Sequence, residues 1–110
     1  IDGYTSEKDQ SDIELAASAN FNWALPSDFM RTTKDFWATS SQHIAVSGDV
    51  TPAGKILRVG IIEPDGIRRC IYATGSFSYP FPLDKTGFYC VYAINDNSEV
   101  VNLTGAYVTY

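Results

Sequence analysis

The chain alternates between apolar and polar residues over several short stretches, a pattern typical of strands with one buried face. In residues 13–25 the odd positions are apolar and most even positions are polar or small. Ser11 and Glu14 also have the spacing of a helix capping box, so residues 11–18 are predicted to form a short helix or an extended lead-in. A strand is predicted over residues 19–25.

Two later stretches predict β-hairpins. KILRVGII (55–62) and IRRCIYA (67–73) flank the turn sequence EPDG (63–66), in which proline presets φ and glycine takes the left-handed position. GFYCVYAI (87–94) is followed by a polar turn and then by EVVNLTGAYVTY (99–110), which predicts a second hairpin. GFYCVYAI is apolar on both faces, which indicates a central strand.

The predicted strands recur about every ten residues, with turn signals between them and no long helical period. This arrangement predicts an all-β fold, an antiparallel β-sandwich of jelly-roll-like type. A chain of 110 residues is long enough for one hydrophobic core. Residues 1–12 are polar and acidic without an apolar period, so we expect a flexible N-terminal arm followed by a single domain over 13–110.

The charge balance excludes some classes of partner. Thirteen acidic residues against eight basic ones give a net charge of −5, which argues against nucleic acid and against anionic membrane surfaces. The apolar runs are much shorter than the roughly 20 residues that a membrane-spanning helix needs, so no membrane insertion is expected. The chain begins with Ile1, which fits either removal of a signal peptide or a trimmed chain, and with two cysteines this favours a secreted or cell-surface protein.

Cys70 and Cys90 lie in two different predicted strands. If those strands are neighbours, the two sulfurs can form a disulfide, which would stabilise the fold by about 3 kcal/mol in the chain-entropy model. A zinc site would need two more ligands, which only His43 and carboxylates supply. We therefore predict a disulfide between these cysteines and no metal.

The segment SFSYPFPL (76–83) is the main candidate for a binding surface. Its two prolines predict an edge strand or a loop, and alternation places Phe77, Tyr79 and Phe81 on one side. Two interpretations stay open. The rings pack against the second sheet, or some are exposed and stack on sugar rings or on aliphatic groups of a partner. Trp37 is the fourth candidate for binding, in a stretch without a clear period.

The other aromatic residues between the cysteines are assigned to structure. Phe88 and Tyr89 belong to the predicted central strand, and Tyr72 belongs to its expected neighbour. These rings are therefore expected to have a structural role within paired strands.

No catalytic motif is present, and the single histidine, His43, lies beside Ser40 and Ser41 at the start of a predicted strand. A Ser-His-Asp site cannot be inferred from closeness in sequence. The oxygen-rich segment 95–99 could contribute calcium ligands, but its residues are also common turn formers. We predict that the protein is not an enzyme and needs no cofactor; a small hydrolase built around His43 is the weakest alternative.

From residue 36 onward, the stretches FWATSSQHIAVSGD, KILRVGIIEPDG and TGFYCVYAINDNSEVVNLTGAY resemble small secreted bacterial β-sandwich domains of the pre-peptidase C-terminal type. In that type a G-x-Y-x-V-x-V strand follows a polar turn, and Gly87, Tyr89, Val91 and Ala93 fall on this motif. The resemblance implies a jelly-roll-like module appended to secreted bacterial enzymes.

Together these observations favour a secreted or surface-associated, non-catalytic binding or accessory module, with a carbohydrate or a protein as ligand. The alternative is a structural or host-interaction protein without a small-molecule site.

Overall fold

The computed structural model describes residues 17–110, and these residues form nine strands and no helix. The predicted N-terminal arm and nearly all of the predicted helix or lead-in at 11–18 lie outside the described residues. No helix in the described part of the chain could span a membrane. The strands are β1 (Ser18–Leu25), β2 (Met30–Thr32), β3 (Phe36–Ala38), β4 (His43–Thr51), β5 (Leu57–Ile62), β6 (Arg68–Ala73), β7 (Gly75–Pro82), β8 (Gly87–Ile94) and β9 (Val101–Thr109).

The strands form two antiparallel sheets. Sheet 1 has the order β1-β9-β4-β7; in sheet 2, β2 and β3 pair with one side of β8, and β5 and β6 follow on its other side. The chain therefore folds back on itself as one long hairpin, in which β1 pairs with β9, β2 and β3 with β8, β4 with β7, and β5 with β6. Successive pairs alternate between the two sheets, which is jelly-roll topology. The predicted β-sandwich is confirmed.

The core lies between the two sheets and is built by strand alternation. In β1, for example, Phe21, Trp23 and Leu25 point inward while the residues between them are exposed. Phe36 of sheet 2 stacks on Tyr107 of sheet 1, with ring centroids 4.3 Å apart. Each fully buried aliphatic side chain contributes about 1.5–3 kcal/mol, so this core is the main source of stability.

The predicted β5–β6 hairpin is confirmed, with Gly66 at a φ of 88° as the turn requires. The predicted second hairpin is wrong. β8 lies in sheet 2 beside β5, whereas β9 lies in sheet 1 between β1 and β4. Both strands carry apolar inner faces, and they bury them best by facing each other across the core. The segment 95–100 therefore crosses from one sheet to the other.

The predicted disulfide is also wrong, because both cysteines are free. Cys70 pairs with Gly60 and Cys90 pairs with Ile62, so β5 lies between the two cysteine-bearing strands. Two strand spacings amount to roughly 10 Å. A disulfide needs Cα atoms within about 7 Å, so the thiols cannot join in this fold.

Candidate interaction surface

The predicted aromatic trio faces the inner side of sheet 1. β7 is an edge strand, as its prolines indicated, and its pairing with β4 sets Phe81 opposite Ile44 and Tyr79 opposite Val46. Phe81 is only 3% exposed and belongs to the core, and Phe77 is partly buried against it. Tyr79 is 41% exposed and contacts Phe81 edge-on at 4.7 Å. For Phe77 and Phe81, the structure supports packing against the second sheet; only Tyr79 has a substantially exposed ring.

Trp37, the fourth candidate, lies apart from the trio. It is in β3, points to the outer side of sheet 2 and is 49% exposed. Its pairing partner across the ladder is Phe88, and the two rings meet edge-on with centroids 5.1 Å apart. The four predicted binding residues are thus divided between two sheets and do not form one site.

Trp37 and Phe88 belong to a larger apolar surface, the outer side of sheet 2, which we call the aromatic face. Strand pairing brings its residues together in rows, because side chains directly opposite in adjacent strands point the same way. The aromatic face consists of Met30, Thr32, Trp37, Arg58, Gly60, Ile62, Arg68, Cys70, Tyr72, Phe88, Cys90, Tyr92 and Ile94.

Three rings of the aromatic face are strongly exposed. Trp37, Phe88 and Tyr72 expose 49%, 58% and 74% of their surface. Single exposed apolar residues are ordinary, but an apolar sheet face that carries several exposed aromatic rings is typical of an interaction site.

Tyr92 lies at the centre of the aromatic face, yet it is only 2% exposed. It pairs with Gly60, which has no side chain, and the Arg68 guanidinium lies 5.7 Å from the centre of its ring. Burial, and a hydrogen bond with the Cys70 thiol, raise the pKa of Tyr92 to about 12. These contacts hold the Tyr92 ring in place, buried between the exposed rings of Trp37, Phe88 and Tyr72.

The charges on the aromatic face are held by defined partners. Arg58 donates two hydrogen bonds to the Asp96 carboxylate, at 2.7 and 2.9 Å. This guanidinium lowers the pKa of Asp96 below its usual value. Among the thiols, Cys70 is exposed, whereas burial raises the pKa of Cys90 and favours its neutral form. The surface thus combines fixed cations with neutral apolar groups.

Sequence reasoning assigned Phe88 and Tyr72 a structural role and therefore missed them as exposed rings. The strand GFYCVYAI is apolar on both sides, and only one of its sides faces the second sheet. Its other side lies on the aromatic face, where it meets no third layer among the described residues. A fold of two layers buries only one face of each strand. The second apolar face of GFYCVYAI was therefore the signal that could have identified this surface.

The other chemical candidates have structural roles. The His43 ring stacks on Tyr110 at 5.1 Å, and the two backbones exchange hydrogen bonds of 2.7 and 3.0 Å. In segment 95–99, Asn95 is buried and Asp96 binds Arg58. Residues 17–110 contain no group of three potential metal ligands.

A buried carboxylate, Glu63, belongs to an ion cluster at one end of the sandwich. Its oxygens lie 2.8 Å from Arg69 Nε and 2.6 Å from Lys85 Nζ. Lys85 also lies 3.2 Å from Asp65, and these hydrogen bonds raise the pKa of Lys85. Tyr89 donates its hydroxyl hydrogen to the Lys85 carbonyl. The cluster ties the β5–β6 turn to the β7–β8 connection, which accounts for the buried charge.

The outer side of sheet 1 has a different character. A groove of about 540 Å³ runs over the close approach of Gly48 and Gly105, where β4 and β9 pair. A Cβ on Gly48 would lie 2.7 Å from the Thr104 carbonyl oxygen, so the strands approach too closely there for a side chain. Among residues 17–110, no charged residue lines the groove; the lining residues are Asn20, Phe21, Asn22, Ser47, Gly48, Thr104, Gly105 and Ala106.

No protein-family model matches the chain, and a search of curated proteins finds no match. Among solved structures, a chain in the structure of infectious bursal disease virus Gx strain is similar, with a TM-score of 0.38 and 13% sequence identity. The match covers 84% of this chain and 32% of the viral chain, so this chain spans about a third of that protein's length. The resemblance to pre-peptidase C-terminal domains stays a prediction.

Proposed function

We propose that this β-sandwich is a non-catalytic module that binds a protein partner through the aromatic face. The observation that carries the proposal is the exposure of Trp37, Phe88 and Tyr72 on one strand-built surface. Aromatic residues and arginine dominate the energetic centres of protein interfaces, because they bury large areas at low entropic cost. Strands hold these rings more rigidly than loops would, which lowers the cost of binding further.

The surroundings of the rings favour a protein over a carbohydrate. Phe88 pairs with Trp37 across the ladder, and Cys90 follows two positions along the same strand, opposite Ile62 of β5. A sugar requires hydrogen-bond donors and acceptors placed around the stacking ring. Apolar neighbours instead suit the aliphatic and aromatic side chains of a partner protein.

The test uses a random peptide library displayed on phage and selected on the wild-type chain. Selected peptides are then measured by titration calorimetry against Trp37→Ala and Phe88→Ala. We expect each variant to weaken binding by more than about tenfold, as substitution of an interface hot spot does. The matched control is Tyr79→Ala, which removes a half-exposed ring from the other sheet and should leave the affinity unchanged.

The proposal would be overturned if the selected peptides bound the Trp37→Ala Phe88→Ala double variant as tightly as they bind wild type. Loss of binding only in Tyr79→Ala would also overturn it and would restore β7 as the binding element. All three positions are exposed, so the melting temperatures of the variants should stay close to that of wild type. That measurement separates loss of binding from loss of folding.

The groove on sheet 1 supports a second candidate function, binding of an uncharged polar ligand such as a glycan. Its side chains include the amides of Asn20 and Asn22 and the hydroxyls of Ser47 and Thr104. These groups both donate and accept hydrogen bonds, as sugar hydroxyls require. Glycan-array binding that is lost in Asn22→Ala and kept in Phe88→Ala would favour the groove over the aromatic face.

A location outside the cell stays part of the proposal. Its support is the sequence alone, because the free cysteines remove the argument from a disulfide. The structural alternative, a chain without a ligand, predicts that neither peptides nor glycans bind above background.

A further inference from the structure

The edges of the two sheets differ in how well they are protected against pairing with another chain. An edge strand presents unpaired N–H and C=O groups to any strand that approaches it. Directly after β7, Leu83 donates its N–H to the Gln42 carbonyl. By alternation along the ladder, the backbone groups of Pro82 and Pro80 therefore point toward the open edge. Proline has no N–H, and much of this edge is therefore blocked.

The other edge of sheet 2, formed by β2 and β3, is protected in other ways. β2 and β3 have only three residues each and are separated by a break in pairing. The Arg31 guanidinium lies 5.7 Å from the centre of the Trp23 ring and so reaches from β2 to β1. Short strands and charged side chains at an edge both oppose further strand pairing.

Strand β6 carries Arg68 and Arg69, but its six residues pair without a break, and no other strand in residues 17–110 pairs with its outer side. Its sequence, RRCIYA, contains neither proline nor glycine. Glu63 donates its N–H to the Ile67 carbonyl at 2.8 Å, which fixes the alternation of the β5–β6 ladder. By that alternation the backbone groups of Arg68, Cys70 and Tyr72 point away from β5, toward the open edge. All three residues are exposed.

The open edge of β6 is complementary to itself. When two copies of β6 pair antiparallel about a twofold axis at Cys70, Arg68 of each copy lies opposite Tyr72 of the other. Each of these pairs can exchange both backbone hydrogen bonds. Each Arg–Tyr pair also places a guanidinium beside an aromatic ring, a favourable contact in sheets and in cation–π geometry.

We infer that two copies of this chain associate through β6, in the antiparallel register centred on Cys70. The two copies of sheet 2 then form one continuous sheet, and the two aromatic faces lie side by side. A contact made by one edge strand from each copy buries little area, so the dimer is weak, with a Kd on the order of micromolar or above. This inference does not rest on the proposed function of the aromatic face.

The first experiment measures association by sedimentation equilibrium over a range of concentrations that reaches the millimolar. We expect wild type to dimerise. Tyr72→Lys places a lysine opposite Arg68 of the other copy, and we expect this variant to weaken the dimer about fivefold. The double variant Arg68→Glu Tyr72→Lys places opposite charges across the axis and should restore dimerisation. Only this register predicts the rescue.

The second experiment blocks the edge directly. Cys70→Pro removes an N–H that points to the open edge, so it should abolish the dimer while β5 and β6 stay paired. The matched control is Ser78→Pro, at a position on β7 whose N–H also points to an open edge, and it should leave the dimer intact. Circular dichroism and thermal melting establish that both variants fold.

Two further measurements test pairing through β6 without introducing a proline. A short bismaleimide should link two wild-type copies and two Cys90→Ser copies, but not two Cys70→Ser copies. Amide hydrogen exchange at Arg68, Cys70 and Tyr72 should slow as concentration rises, whereas exchange at Ser78 should not change.

A wild-type chain that stays monomeric at millimolar concentration would overturn the inference. The inference would also be overturned if the cross-link formed through Cys90. Equal loss of the dimer in Cys70→Pro and in Ser78→Pro would likewise contradict it. The Trp37→Ala and Phe88→Ala variants should dimerise normally, so failure of this inference is distinguishable from failure of the proposed function.

Discussion

Asn95 is the residue on which the crossing between the two sheets depends. It is fully buried, and its side-chain amide donates to the carbonyls of Leu25, Pro26 and Glu99, at 2.8, 3.2 and 2.7 Å. Its side-chain oxygen accepts from the Asn97 backbone N–H at 2.8 Å. The sequence showed a turn-forming residue here but gave no sign of these contacts, because two of the three carbonyls are about 70 positions away in the chain.

Asn95→Asp is expected to lower the free energy of unfolding by about 2–4 kcal/mol at neutral pH. An ionised carboxylate cannot donate to the three carbonyls, and it is buried among acceptors. Urea unfolding measures the change, and Asn102→Asp, on the exposed side of β9, serves as a control with an effect within about 0.5 kcal/mol. Equal stability of the two variants would contradict this role of Asn95.

At the scale of the strand, Gly60 determines how β5 and β6 meet. A Cβ at this position would lie 1.8 Å from the Arg69 carbonyl oxygen and 2.6 Å from the Cys70 Cα. The absent side chain also leaves room for the ring of Tyr92, which pairs with Gly60 from the other side. Local alternation predicted both strands of this hairpin correctly, but a glycine within a strand does not reveal which backbone approaches it.

Gly60→Ala should therefore push β6 away from β5 and cost about 3 kcal/mol of stability, since backbone atoms cannot yield as flexible side chains do. Urea unfolding measures the loss, and hydrogen exchange should show that the amides of Arg69 and Ile71 lose protection first. Ser47→Ala, at an exposed position of β4, is the control. A Gly60→Ala variant as stable as this control would show that β6 adapts without cost.

At the scale of the whole molecule, burial of phenol groups links stability to pH. Burial raises the pKa of Tyr89, Tyr92 and Tyr107 above the ordinary value for tyrosine, and that of Tyr92 reaches about 12. The folded state therefore keeps these protons at a pH where the unfolded state has released them. Their contribution to stability is fully present below about pH 10 and is lost as the pH rises toward 12.

We expect the urea midpoint to fall progressively from about pH 8.5, where the Cys90 thiol of the unfolded chain begins to ionise, up to pH 11.5. Tyrosinate absorbance in the native protein should show a class of phenols that titrate late. In Tyr92→Phe the urea midpoint should fall less steeply with pH, because this variant lacks the phenol whose pKa is most strongly raised. A midpoint that is constant up to pH 11.5 would contradict the burial of these groups.

The sequence alone determined that this chain is a β-sandwich. Alternation and the turn chemistry at EPDG are local signals, and they predicted strands and a hairpin that the structure confirms. The prolines of β7 predicted an edge strand or a loop, and the structure has the edge strand. Only the tertiary structure decided which strands are neighbours. Alternation gives the two faces of a strand but not the partner of either face, so the β8–β9 hairpin and the Cys70–Cys90 disulfide were wrong. For the same reason the exposed rings on the outer side of sheet 2, Trp37, Phe88 and Tyr72, became one surface only when the strands that carry them were placed side by side.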